Sequence, residues 1–159
     1  MNERVIAYRE REAAKEKIKV GEPAPAFTLM DENGKPVSLS DFKGKWVMLD
    51  FWGTWCGWCV KGIPQMKEEY AKAGDNVVYV SIACNDPKDK WLEAIKKYEM
   101  NWVNLYSDND TPAAEKVQTL YAIEGFPTKF LIDPEGNFAH ICVGEQPSFY
   151  DDINAIINK

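Results

Sequence analysis

The run Trp46-Val47-Met48-Leu49-Asp50-Phe51-Trp52 is apolar at every position but Asp50. Successive side chains of a strand point to opposite faces, so a strand with one wet face alternates apolar and polar residues. A run that is apolar at both parities has to be covered on both sides, as a central strand is in a sheet flanked by helices. Val77 to Cys84 (VVYVSIAC) has the same character and supplies a second buried strand. Between them, roughly residues 57–73 read as a helix interrupted by Pro64.

Shorter signals fill in the rest. Phe27-Thr28-Leu29-Met30 is a short strand followed by turn chemistry in Asp31-Glu32-Asn33-Gly34. Asn85-Asp86-Pro87 marks a helix start, with Asp86 as the cap and Pro87 at the first helical position. The helix it opens carries Trp91, Leu92, Ile95 and Tyr98 at helical spacing. Thr111-Pro112 repeats the start signal, and Val117, Leu120 and Tyr121 supply the apolar side of the helix that follows. Thr128 to Asp133 is a strand, Pro134-Glu135-Gly136 a tight turn, and Phe138 to Val143 the antiparallel partner. A last helix, about 147–158, turns Phe149, Ile153, Ile156 and Ile157 inward. Strands alternating with helices and closed by a hairpin predict an α/β sheet with helices on both faces.

Residues 1–19 differ: they are dense in charge, with no wide apolar stripe, and read as a solvated helix, a linker or a frayed tail that ends at Gly21-Glu22-Pro23-Ala24-Pro25. Residues 20–159 then form one domain. The chain's 25 acidic and 19 basic side chains give a net charge of −6, which argues against nucleic acid or an anionic membrane as partner. No apolar run approaches the ~20 residues of a membrane span, and the first residues lack the apolar core of a signal peptide.

The chemistry lies in Gly53-Thr54-Trp55-Cys56-Gly57-Trp58-Cys59, where a buried strand gives way to a helix. Cys56 at the helix start meets unpaired backbone N–H groups, which stabilise a thiolate and lower a thiol pKa from ~8.5 into the range of about 3.5–7.5. Cys59, one turn inside, can attack a mixed disulfide formed at Cys56. Cys56 is therefore the expected nucleophile and Cys59 the resolving thiol. Asp50, set inside an apolar strand, should have a raised pKa because burial disfavours its charged form.

These residues resemble the thioredoxin superfamily and, within it, the ResA/TlpA-like thiol–disulfide oxidoreductases of the bacterial cell envelope. The similarity spans about residues 20–157. Phe51-Trp52-Gly53-Thr54-Trp55-Cys56 is its most specific part. It also includes Leu39-Ser40-Asp41-Phe42-Lys43-Gly44-Lys45, Pro64, Gly125-Phe126-Pro127-Thr128 and Leu131-Ile132-Asp133-Pro134-Glu135-Gly136. The resemblance implies a three-layer thioredoxin-like fold with a central mixed sheet and an N-terminal strand or hairpin extension. It implies a cis bond before Pro127, with the Phe126 backbone facing Cys56 for an extended substrate chain, and a general-base role for Asp50 toward Cys59. It further implies protein disulfides as substrates, an upstream electron-donor protein, no cofactor and an envelope location, with the cytoplasm as the alternative. The family leans toward reductases; the Gly57-Trp58 pair between the cysteines leaves the direction open. The ResA/TlpA branch often carries a glutamate three residues after its second cysteine, and this chain has Gly62 there.

Among the remaining residues, Trp55 and Trp58 are candidate substrate-facing aromatics, with Trp58 covering Cys59. Trp46, Trp91 and Trp102 read as packing residues. Cys84 and Cys142 fall about three strand spacings apart, roughly 14 Å, too far for a disulfide or a shared zinc ion. His140 reads as a solvated edge residue, so no metal is expected. A thiol peroxidase needs Pro-x-x-x-Thr/Ser-x-x-Cys, and here Leu49 and Gly53 stand at the proline and hydroxyl positions. A non-catalytic interaction domain has no use for Cys56, Cys59, Asp50 and Pro127 together.

Overall fold

The computed structural model describes residues 2–159. Helix α1 (Glu3–Ala14) leads to a hairpin of β1 (Thr28–Asp31) and β2 (Pro36–Ser38). Then come β3 (Trp46–Trp52), α2 (Gly57–Lys72), β4 (Val77–Ala83), α3 (Lys88–Lys97) and β5 (Val103–Tyr106). A short α4 (Val117–Leu120), the hairpin β6 (Thr128–Ile132) and β7 (Phe138–Val143), and α5 (Phe149–Ile157) complete the chain. The seven strands form one mixed sheet in the order β2-β1-β5-β4-β3-β6-β7. β3 lies at its heart, parallel to β4 and antiparallel to β6.

The two parities of β3 feed two cores. Val47, Leu49 and Phe51 pack with Val80, Ile82, Tyr121 and Phe130 on one face. Met48 and Trp52 pack on the other with Ile63 and Met66 of α2, Trp91 of α3, and Phe149 and Ile153 of α5. Each such side chain contributes about 1.5–3 kcal/mol by leaving water. Asp50 shares the parity of Met48 and Trp52, so its carboxyl is delivered to the face that α2 covers.

Several local expectations need correction. β1 begins at Thr28 and runs through Asp31, one residue later than the apolar pattern suggests. Pro64 does not break α2, which continues to Lys72; its neighbours Ile63 and Met66 are anchored in the core and outweigh one lost amide donor. Asp86 does not cap α3: Pro87 is the N-cap residue and gives no side-chain bond. The Thr111-Pro112 signal opens only a 3-10 turn (Ala113–Glu115), because Lys116 is extended (φ −64, ψ 143) before the four-residue α4 begins. Leu120, expected inside, is 38% exposed at the end of that helix. At the N-terminus, α1 rests against this region. The Glu3 carboxylate accepts the Ala113 amide N–H at 2.6 Å, and Lys15 pairs with Glu124 at 2.7 Å. No helix among the described residues is long and apolar enough to cross a membrane.

Candidate functional site

The segment between β3 and α2 is held from below by β4 and the residues after it. The Cys84 amide donates to the Trp52 carbonyl at 2.8 Å, extending the β3–β4 pairing by one residue. The Thr54 amide and hydroxyl both donate to the buried Asp86 carboxylate, at 2.8 and 2.5 Å. Asp86 therefore clamps the loop that presents Cys56 instead of starting a helix. The Trp55 indole N–H donates to the Cys84 carbonyl at 2.9 Å, and its ring meets Phe126 edge-on with centroids 5.2 Å apart. That indole fills the space a Cβ at Gly53 would need, so any side chain there would have to push the ring aside.

Cys56 is the N-cap residue of α2, extended at φ −95 and ψ 106, and its sulfur accepts the Cys59 backbone N–H at 3.2 Å. A helix of 16 residues thus begins at the sulfur expected to react first. Cys56 and Cys59 are disulfide-bonded, with Cα atoms 5.2 Å apart, and are 7% and 5% exposed. Cys59, Gly62, Ile63 and Met66 form the buried stripe of α2 at helical spacing.

Beneath that stripe the strand registers line up Ser81, Asp50, Lys129 and Cys142 in one row across β4, β3, β6 and β7. The Ser81 hydroxyl donates to the Asp50 carboxylate at 3.2 Å and accepts the Trp102 indole N–H at 2.8 Å. Lys129 Nζ donates to Glu145 Oε2 at 2.7 Å, with side chains 3% and 11% exposed. Burial pushes the Asp50 carboxyl up to about 6, with Lys129 pulling it down and Glu145 pushing it further up. Burial likewise raises the Cys84 and Cys142 thiols, both of which are free.

The structure brings Cys56, Cys59, Trp55 and Phe126 to one end of β3, with Asp50 three residues before the β3–α2 loop begins. The Phe126–Pro127 peptide is cis, and the Pro127 carbonyl accepts the Gly144 amide at 2.7 Å. Trp58 does not cover Cys59. It is 66% exposed, with Lys61 Nζ 4.9 Å from its ring centre, because a residue next to the buried stripe points about 100° away from it. His140 is half-buried and stacked on Phe149, with centroids 5.8 Å apart, instead of being simply solvated. Lys129, Glu145 and the clamping role of Asp86 emerge only from the structure. Lys129 carried a signal, as the one charge inside the apolar run Thr128 to Ile132, but only the strand register places it opposite Asp50.

Comparison with known proteins agrees with this geometry. The family model described as AhpC/TSA family matches residues 20–141. A thiol-disulfide oxidoreductase ResA of Bacillus thuringiensis (strain Al Hakam) is 39% identical over 137 residues, which cover 84% of this chain and 75% of the relative. The protein of the same name from Bacillus subtilis (strain 168) is 38% identical over 133 residues, covering 83% and 72%. Among solved structures, the thioredoxin domain of a thiol-disulfide oxidoreductase from Bacteroides vulgatus superposes with a TM-score of 0.79 at 31% identity, covering 88% of this chain and 99% of that one. A thiol:disulfide interchange protein from Bacteroides sp. gives 0.79 at 30% identity, covering 90% and 93%.

Proposed function

The chain belongs to the AhpC/TSA family and is a thiol–disulfide oxidoreductase of the ResA-like kind, and from that premise we propose that it reduces disulfides in other proteins through Cys56 and Cys59. In the reduced enzyme the Cys56 thiolate attacks one sulfur of a substrate disulfide. A Cys56–substrate disulfide forms, and the first substrate thiolate leaves. Asp50 takes the proton from Cys59, whose thiolate then attacks the Cys56 sulfur. This forms the Cys56–Cys59 disulfide and releases the second substrate thiolate. Two electrons pass to the substrate, and the protons given up by Cys56 and Cys59 match the two thiols made. A dithiol protein upstream restores the reduced pair.

The observation that carries this reading is the Cys56 sulfur at the start of α2, bonded to the Cys59 N–H and joined to Cys59 as a disulfide. Trp55, 52% exposed and next to Cys56 in the chain, and the Phe126 ring packed against it offer an aromatic surface for an extended protein segment, with the cis Pro127 and the exposed Trp58 as further candidate contacts. The family resemblance supports an envelope location. A peroxidase reading is disfavoured, because the hydroxyl it needs is missing at Gly53, whose side-chain space the Trp55 indole occupies.

The test is reduction of insulin or another protein disulfide by wild type, Cys56→Ser and Cys59→Ser, with a dithiol donor. Cys56→Ser is expected to be inactive, and Cys59→Ser to accumulate a covalent adduct with the substrate protein through Cys56. Equal turnover by wild type and Cys56→Ser overturns the reading.

A further inference from the structure

One charged group close to the dithiol has no role in the scheme above. Lys129 lies opposite Asp50 in the β3–β6 register, on the face covered by α2. Left alone, a buried ammonium there would pull the Asp50 pKa down, and a carboxylate of low pKa is a weak base toward the Cys59 thiol. Glu145, in the segment that follows β7, reaches under α2 and takes Lys129 Nζ at 2.7 Å. Its carboxylate occupies the space beside Gly62, one helical turn after Cys59. A Cβ built at position 62 would lie 2.5–2.6 Å from its carboxylate atoms. The absence of a side chain at 62 is thus what lets Glu145 in.

We infer that Glu145 is a positioning residue of the dithiol site: seated against Gly62, it neutralises Lys129, so that Asp50 can take a proton from Cys59 and give it back. The inference rests on the dithiol reading of the site. It assigns the pair a function beyond packing, since a buried ion pair gives up about as much by desolvation as it gains by attraction. The titratable or charged groups on the Asp50 face are Lys129 on β6, Glu145 after β7, Tyr150 on α5 and Cys59 on the α2 stripe, while the Cys84 thiol lies on the opposite face of the sheet. Of these, Lys129 and Glu145 are the ones whose charges oppose each other at Asp50.

The experiment is a carboxyl-carbon NMR titration of Asp50 in the oxidised protein, where neither Cys56 nor Cys59 can ionise, with the resonance assigned by its loss in Asp50→Asn. Glu145→Gln is expected to lower the Asp50 midpoint by about one pH unit, because it leaves the lysine charge unopposed. Lys129→Met is expected to raise it. The pH profile of mixed-disulfide resolution in the reduced enzyme should move the same way in each variant. A purely structural pair would shift neither midpoint, or both in one direction. If Glu145→Gln fails to fold, adding it to Lys129→Met makes the same comparison: the double variant must titrate below Lys129→Met. An Asp50 midpoint that stays fixed or moves the other way overturns the inference. The activity of Cys56→Ser separately decides the dithiol reading, and its outcome does not alter the titration.

Discussion

Asp50→Asn should make the oxidised protein more stable at neutral pH and change how its stability depends on pH. The carboxyl is fully buried beneath α2, and burial lifts it from 3.8 to about 6. Ionising it in the fold rather than in the open chain therefore costs about 3 kcal/mol, at about 1.4 kcal/mol per pH unit. The sign follows from proton binding: a carboxyl that holds its proton more tightly when folded favours folding below 3.8, and that contribution is lost as pH rises through about 6. Asparagine is close in volume, keeps an oxygen to accept the Ser81 hydroxyl, and has no charge to desolvate. Urea unfolding of oxidised wild type and Asp50→Asn from pH 3.5 to 8 reports on this group together with its coupling to Lys129 and Glu145, because carboxylates that do not interact with Asp50 cancel in the difference. The asparagine variant is expected to gain about 3 kcal/mol on wild type between roughly pH 4 and 6.5 and to hold that lead above it. Parallel stability curves across that range would refute the reasoning. The same variant should resolve mixed disulfides slowly near neutral pH while the first attack by Cys56 proceeds normally, as stopped-flow fluorescence of the nearby tryptophans can follow.

Other perturbations act on the supports of the site. Asp86→Ala strands the Thr54 amide and hydroxyl and should cost about 1–3 kcal/mol by urea unfolding, with a matching loosening of the loop before Cys56. Gly53→Ala drives the Trp55 indole off the Cys84 carbonyl and should be visible as a shift in tryptophan emission together with lost activity. Phe126→Ala removes the ring that meets Trp55 and should raise KM for protein disulfides several-fold, with little effect on a small-molecule disulfide. Gly62→Ala, which crowds Glu145 without changing any charge, should lower the pH at which resolution is half-maximal; an unchanged profile would separate Gly62 from the proton chemistry.

The parts of the molecule read correctly from the sequence are those in which one local pattern meets one strong constraint. Trp46 to Trp52 forms β3 from end to end, because seven residues apolar at both parities have one stable place in a layered sheet. The strand–Cys-x-x-Cys–helix junction was equally legible, since N-cap geometry follows from adjacency in the chain. Competing local signals failed where a tertiary partner claimed the residue. Asp86 has the composition of a cap but spends its carboxylate on Thr54, and Trp58 has the bulk to shield Cys59 but falls on the wet side of α2. The Asp50–Lys129–Glu145 grouping could not be read at all from neighbouring residues. Its members come from three parts of the chain, and their meeting depends on the β3–β6 register and on the space left at Gly62.

Everything proposed for the site depends on a thiolate at Cys56, so the most direct measurement is thiolate absorbance near 240 nm against pH on reduced Cys59→Ser, checked by iodoacetamide alkylation rates. Half-ionisation below about pH 7.5, lost on mild unfolding, is the expected result for a sulfur at the start of α2. Half-ionisation near 8.5 in the folded protein, as in a free cysteine, would contradict it.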